Sequence, residues 1–124
     1  MEKIFLEGTE DTPKIILNID TGIYEISGRS LPEDSAEFYK PILSWLESFK
    51  SSGVKNCNFE FKLEYFNTAS SKLILDILTK LEACSHAGMD VKVIWYHRDD
   101  DEDMREAGEE FSELVDVPFE FRIY

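Results

Sequence analysis

Thr68 stands where a strand-like run hands over to a helix-like run, with Asn67, Ser70, Ser71 and Lys72 around it. A hydroxyl at such a junction lies beside the unpaired N–H groups of a first helical turn, at the positive end of the helix dipole. The chemistry this favours is phosphorylation, because a helix N-terminus holds a phosphate rather than expelling it. The modification brings about −1.5 to −2 charges and three acceptor oxygens, enough to rearrange local hydrogen bonds and to repel an acidic partner surface. With Thr68 as the capping residue, Ser70 and Ser71 fall at the second and third helical positions. With Asn67 they form a polar rim, to which Lys72 adds a cation. The plainer reading of Thr68 is a helix cap or first-turn residue that contributes about 1 kcal/mol to stability and nothing else.

Other residues invite chemistry less strongly. Leu75 falls among Lys72, Asp76, Thr79 and Glu82, on the helix face away from the expected core stripe, and so offers a docking contact; single exposed leucines are also ordinary. The run from His97 to Glu110 is rich in carboxylates, yet no EF-hand spacing can be laid on it. Acidic residues in a first helical turn are favoured by the dipole, so the run reads as a solvated helix start and no metal is assigned. His86 and His97 are too few and too far apart for a zinc site, and the chain has no GxSxG, GxxxxGK or HExxH motif. Glu60, Glu64 and Asp76 leave a diffuse active site open in principle, but charges alternating along a strand usually mark its solvent side. Neither catalysis nor a cofactor is expected. Cys57 and Cys84 match no CxxC pattern and read as small buried hydrophobes.

These residues need elements to place them. From Phe59 to Tyr65 large apolar residues alternate with Glu60, Lys62 and Glu64, the period-two pattern of a strand. Leu73, Ile74, Ile77, Leu78 and Leu81 then recur at helical spacing. Upstream, Ile4–Leu6, Lys14–Ile19 and Ile23–Ser27 are strand-like, with Asp20, Thr21 and Gly22 supplying a hairpin turn. Asp34 and Glu37 resemble a capping box ahead of a helix whose apolar face is Phe38, Ile42, Trp45, Leu46 and Phe49, and Gly53 ends it. Pro41 is discordant there and predicts either a kink or a start near that residue. Met89–His97 reads as a mostly buried strand with parallel neighbours. Met104, Ala107, Phe111, Leu114 and Val115 mark a further helix, and Phe119, Phe121 and Ile123 alternate in a last strand. The predicted class is α/β: a single domain over residues 1–124 with a mixed sheet, an N-terminal hairpin, a helix, and then β-α-β-α-β. In open α/β sheets, sites form beyond the carboxyl ends of the strands, which is where Tyr65–Ser71 falls.

Composition narrows the partners. With 13 basic and 26 acidic residues the formal net charge is −13, which repels nucleic acid and anionic membrane and steers a partner with a basic face toward the protein. The start, MEKIFLEGTED, suggests neither a signal peptide nor a membrane span, so a cytoplasmic protein is expected.

Three segments together resemble the SiaC family of bacterial regulatory phosphoproteins: EISGRSLPEDSAEFYKPILSWL (Glu25 to Leu46), YFNTASSKLILDIL (Tyr65 to Leu78) and WYHRDDDEDMREAGEEF (Trp95 to Phe111). The resemblance implies a fold like that of STAS domains and anti-sigma-factor antagonists. It implies that Thr68, in the YFNT motif, is phosphorylated by a dedicated switch-protein kinase and dephosphorylated by a PP2C-like phosphatase. It implies further that the unphosphorylated form binds a target, a diguanylate cyclase, and so feeds cyclic-di-GMP signalling and biofilm behaviour. Ala69 departs from a serine frequent at that place in the family, which removes one secondary hydroxyl and leaves Thr68 intact. The expected contacts around Thr68 are Asn67, Ser70, Ser71, Lys72 and Leu75, with Arg29 assisting from the loop after the hairpin. Two rivals make different predictions. A small enzyme or ligand-binding domain needs a deep crevice at the strand ends, and a constitutive scaffold needs a large apolar self-interface.

Overall fold

The computed structural model describes residues 1–124. Short apolar runs broken by turns build three strands, β1 (Ile4–Leu6), β2 (Lys14–Asn18) and β3 (Ile23–Ser30). Asn18 shapes the β2–β3 turn by accepting from the Asp20 amide at 3.0 Å, and Gly22 closes it at φ 71°. The remainder alternates: α1 (Ser35–Phe49), β4 (Asn56–Phe66), α2 (Thr68–His86), β5 (Asp90–His97), α3 (Glu102–Leu114) and β6 (Phe119–Ile123). The six strands lie in sequence order, β1-β2-β3-β4-β5-β6. The first three pair antiparallel and the β3–β4, β4–β5 and β5–β6 pairs are parallel. The predicted α/β class and mixed sheet match this architecture.

Register explains the core. Ile15, Ile26, Phe61 and Trp95 sit side by side across four strands, as do Leu17, Tyr24, Phe59 and Val93, and all eight are buried. Strand residues alternate between faces, so these rows belong to one face of the sheet. Strands added in order through right-handed crossovers keep every helix on that face. There Phe49 and Trp45 of α1, Ile74, Ile77 and Leu81 of α2, and Met104 and Phe111 of α3 complete a single core. The opposite face carries Glu25, Glu60, Lys62, Lys92 and Tyr96, which cover one another: Tyr96 donates to Glu60 at 2.8 Å and Lys92 to Glu120 at 3.2 Å.

Two sequence expectations change here. α1 begins at Ser35, with the Asp34 carboxylate accepting from the Glu37 amide at 3.1 Å, and it runs unbroken past Pro41. Pro41 is exposed, as is Glu37 one turn earlier, so the carbonyl that loses its donor faces water. Leu114, placed with the core stripe by its spacing, is instead 64% exposed at the end of α3. α3 packs against β4, β5 and β6, and its apolar stripe is only partly covered.

Candidate functional site

The handover from β4 to α2 is governed by Asn67. Its backbone is extended (φ −87°, ψ 174°), and its side-chain oxygen accepts from the Ser70 amide at 2.8 Å. Asn67 is therefore the N-cap and Thr68 the first helical residue, one place on from the capping role that the sequence offered it. Ser70 and Ser71 move correspondingly to the third and fourth positions.

That shift separates the three hydroxyls. Ser70 points inward and is fully buried, which removes it from the expected polar rim. Its oxygen accepts from Ser30 at 2.8 Å and lies 3.5 Å from that of Ser35, while Ser30 is 2.6 Å from the Tyr39 hydroxyl. The Asn67 amide donates to the Ser30 carbonyl at 3.0 Å. These groups join the starts of α1 and α2 to the ends of β3 and β4. Burial pushes Tyr39 up to about 12, against a smaller lowering by its Ser30 hydrogen bond, so it stays a neutral phenol. Sequence reasoning missed this cluster because Ser70 lies far along the chain from Ser30, Ser35 and Tyr39, and only the fold brings them together.

Thr68, in contrast, is exposed. It forms part of the wall of two open grooves. One lies between the starts of α1 and α2 and includes Glu33, Asp34, Ala69 and Lys72. The other lies between α2 and α3, where Thr68, Ser71 and Lys72 border an apolar floor of Phe66, Leu75, Ala107 and Phe111, with Leu114 at its far edge. Lys72 is exposed and Ser71 half-buried. Leu75 is also half-buried and packs against the core rim, so the free leucine expected on the outer face is part of a groove. Arg29 lies within β3 rather than in a following loop. A register shift between Gly28 and Arg29 sets it opposite Tyr65, with its guanidinium 5.6 Å from the ring centre and its Nε donating to the Glu10 carbonyl at 3.1 Å.

The other candidates have structural partners. Asp101 caps α3 by accepting from the Met104 amide at 3.0 Å, and Glu102 and Asp103 follow in its first turn, so the acidic run starts a helix. Glu60 receives the Tyr96 hydroxyl on the open sheet face, Glu64 is exposed 3.9 Å from Arg98, and Asp76 lies on α2. These carboxylates do not converge. Cys57 and Cys84 are buried free thiols, and burial pushes Cys57 up to about 12. No helix is long and apolar enough to cross a membrane.

Comparison with known proteins gives a consistent result. An uncharacterised protein of Pseudomonas aeruginosa strain UCBPP-PA14 is 33% identical over 119 residues, covering 96% of this chain and 94% of that protein. The structure of SiaC from P. aeruginosa superposes with a TM-score of 0.90 at 31% identity, over 100% of both chains. A crystal structure of the P. aeruginosa diguanylate cyclase SiaD in complex with its activator SiaC gives a TM-score of 0.91 at 31% identity, over 98% of this chain and 99% of the other. The family model described as SiaC family regulatory phosphoprotein matches residues 6–124. With its fold and these matches in agreement, the chain belongs to the SiaC family of regulatory phosphoproteins.

Proposed function

We propose that this protein is a switch whose unphosphorylated form docks on a diguanylate cyclase and whose docking is turned off by phosphorylation of Thr68. A dedicated kinase adds the phosphate and a PP2C-like phosphatase removes it, in the cytoplasm. The observation that carries the reading is the position of Thr68: exposed, first in α2, and in the wall of both grooves. The first turn of α2 contains no acidic residue, and Lys72 stands one turn on. A phosphate on Thr68 is thus favoured by the helix dipole and by a nearby cation.

The groove between α2 and α3 is the docking surface that suits this switch. Leu75, Phe66 and Phe111 supply apolar area, Ser71 and Lys72 supply polar groups beside Thr68, and Glu110 stands on the α3 side. A partner covering that floor must also cover Thr68. A hydroxyl tolerates this, whereas a phosphate dianion would have to lose its water, and binding falls. The P. aeruginosa SiaC in the cyclase complex is an activator of SiaD, which supports a cyclase as target here.

The test is incubation with the cognate kinase and ATP, followed by intact-mass analysis. Wild-type protein gains one phosphate and Thr68→Ala gains none. An undiminished phosphate yield in Thr68→Ala refutes the site.

A further inference from the structure

We propose that the free edge of β6 pairs with β6 of a second copy of this chain, antiparallel about a twofold axis through Phe121, to give one continuous sheet across a weak, reversible dimer. β6 closes the sheet and hydrogen-bonds only to β5. Its hydrogen-bonding groups divide cleanly between two sides. The Pro118 carbonyl accepts from the Val93 amide at 2.9 Å, and the Tyr124 amide donates to the His97 carbonyl at 3.1 Å, so even-numbered residues turn their backbone groups toward β5. By the alternation of a strand, Phe119, Phe121 and Ile123 turn theirs outward, where no strand meets them.

The side chains fit the same operation. Reading outward from Phe121 in both directions, Glu120 faces Arg122 of the partner subunit, Phe119 faces Ile123 of the partner subunit, and Phe121 faces its own copy. The directly opposite pairs are thus apolar with apolar and acid with base, the combinations that stabilise an antiparallel ladder. They also fall in the register the backbone requires, because the residues with outward N–H and C=O groups are the ones that exchange both bonds with the residue opposite. Phe121 and Ile123 are 37% and 61% exposed, although each belongs to the apolar set of its strand. Charges on an edge strand ordinarily ward off a neighbour. Here Glu120 and Arg122 have opposite signs two positions apart, already pair within the strand, and exchange for the equivalent pair across the seam. The other edge of the sheet, β1, has three residues and offers too short a ladder. A five-residue seam is small beside the about 1,200–2,000 Å² of stable complexes, and a net charge of −13 on each copy opposes approach, so the dimer dissociates on dilution.

Sedimentation equilibrium of the full unphosphorylated chain, from about 10 µM to about 1 mM, tests this independently of Thr68. The average mass rises from 14.4 kDa toward twice that value at high concentration. Glu120→Arg alone sets two arginines opposite the partner's Arg122 residues, and Arg122→Glu alone does the reverse with acids, so each single variant stays monomeric. The double variant, Glu120→Arg with Arg122→Glu, dimerises again. Amide exchange at Phe121 slows with concentration in wild type and not in the single variants. These side chains are exposed enough that circular dichroism should report the same fold in every variant. A wild-type chain that remains monomeric throughout, a dimer that ignores the single reversals, or a double variant that is not restored overturns the proposal.

Discussion

Thr68, Ser70 and Ser71 are three hydroxyls within four residues, and what separates them is the helix phase that Asn67 sets. Its side chain occupies the Ser70 amide, so Ser70 turns inward to Ser30 and Thr68 outward to solvent. Asn67→Ala removes that cap and should cost about 1 kcal/mol, read from the urea midpoint. Ser70→Ala should cost a similar amount, about 1 kcal/mol, through its lost 2.8 Å contact with Ser30, yet leave the phosphate yield unchanged. Loss of phosphorylation in Ser70→Ala, with the fold intact, would show that the wrong hydroxyl has been assigned. The residue types at this junction were legible in the sequence because hydroxyl and amide side chains collect at helix starts. Which of them was buried was not, since a shift of one position in the cap rotates every later residue by about 100°.

The elements themselves were readable wherever their periodicity is local. The alternation of Phe59, Phe61 and Leu63 marks β4, and Ile74, Ile77 and Leu81 mark α2. Contacts between elements were not readable, which is why Leu75 and Leu114 read as outer face and core and proved to border one groove. The wall of that groove depends on how α3 is attached. Trp95 donates from Nε1 to the Met104 carbonyl at 2.9 Å, and Gly108 lets the helix lie close over the ring. A Cβ at Gly108 would be 2.5 Å from Trp95 Cδ1 and 2.8 Å from Phe121 Cε1. Alanine normally strengthens a helix relative to glycine, but here the overlap wins. Gly108→Ala should destabilise by about 1–3 kcal/mol and weaken target binding although Thr68 is untouched. Thermal unfolding with near-ultraviolet circular dichroism of the tryptophans checks the first effect. A rise in stability would show that α3 is not held in this way.

At the scale of the molecule, one covered sheet face and one self-paired face leave the strongly acidic balance to steer partners rather than to shape the core. The core instead fixes the response to alkali. Burial raises Tyr39 from 10.0 and Cys57 from 9.0, each to about 12, and Cys84 adds to the shift of Cys57. Both groups stay neutral in the fold while the unfolded chain ionises first, so their contribution is complete below about pH 9 and is lost as pH rises toward about 12. Urea titrations across that interval should show stability falling, with a shallower slope in Tyr39→Phe and in Cys57→Ala. Equal slopes in all three proteins would contradict the burial argument. The switch itself is tested most directly by the affinity of the cyclase for unmodified protein and for protein carrying a real phosphate on Thr68. Acidic mimics such as Thr68→Asp have less charge and give a smaller change. Phosphorylation should weaken binding by at least about tenfold, while Thr68→Ala treated with the same kinase keeps the unmodified affinity. Equal affinities of the modified and unmodified proteins would contradict the account.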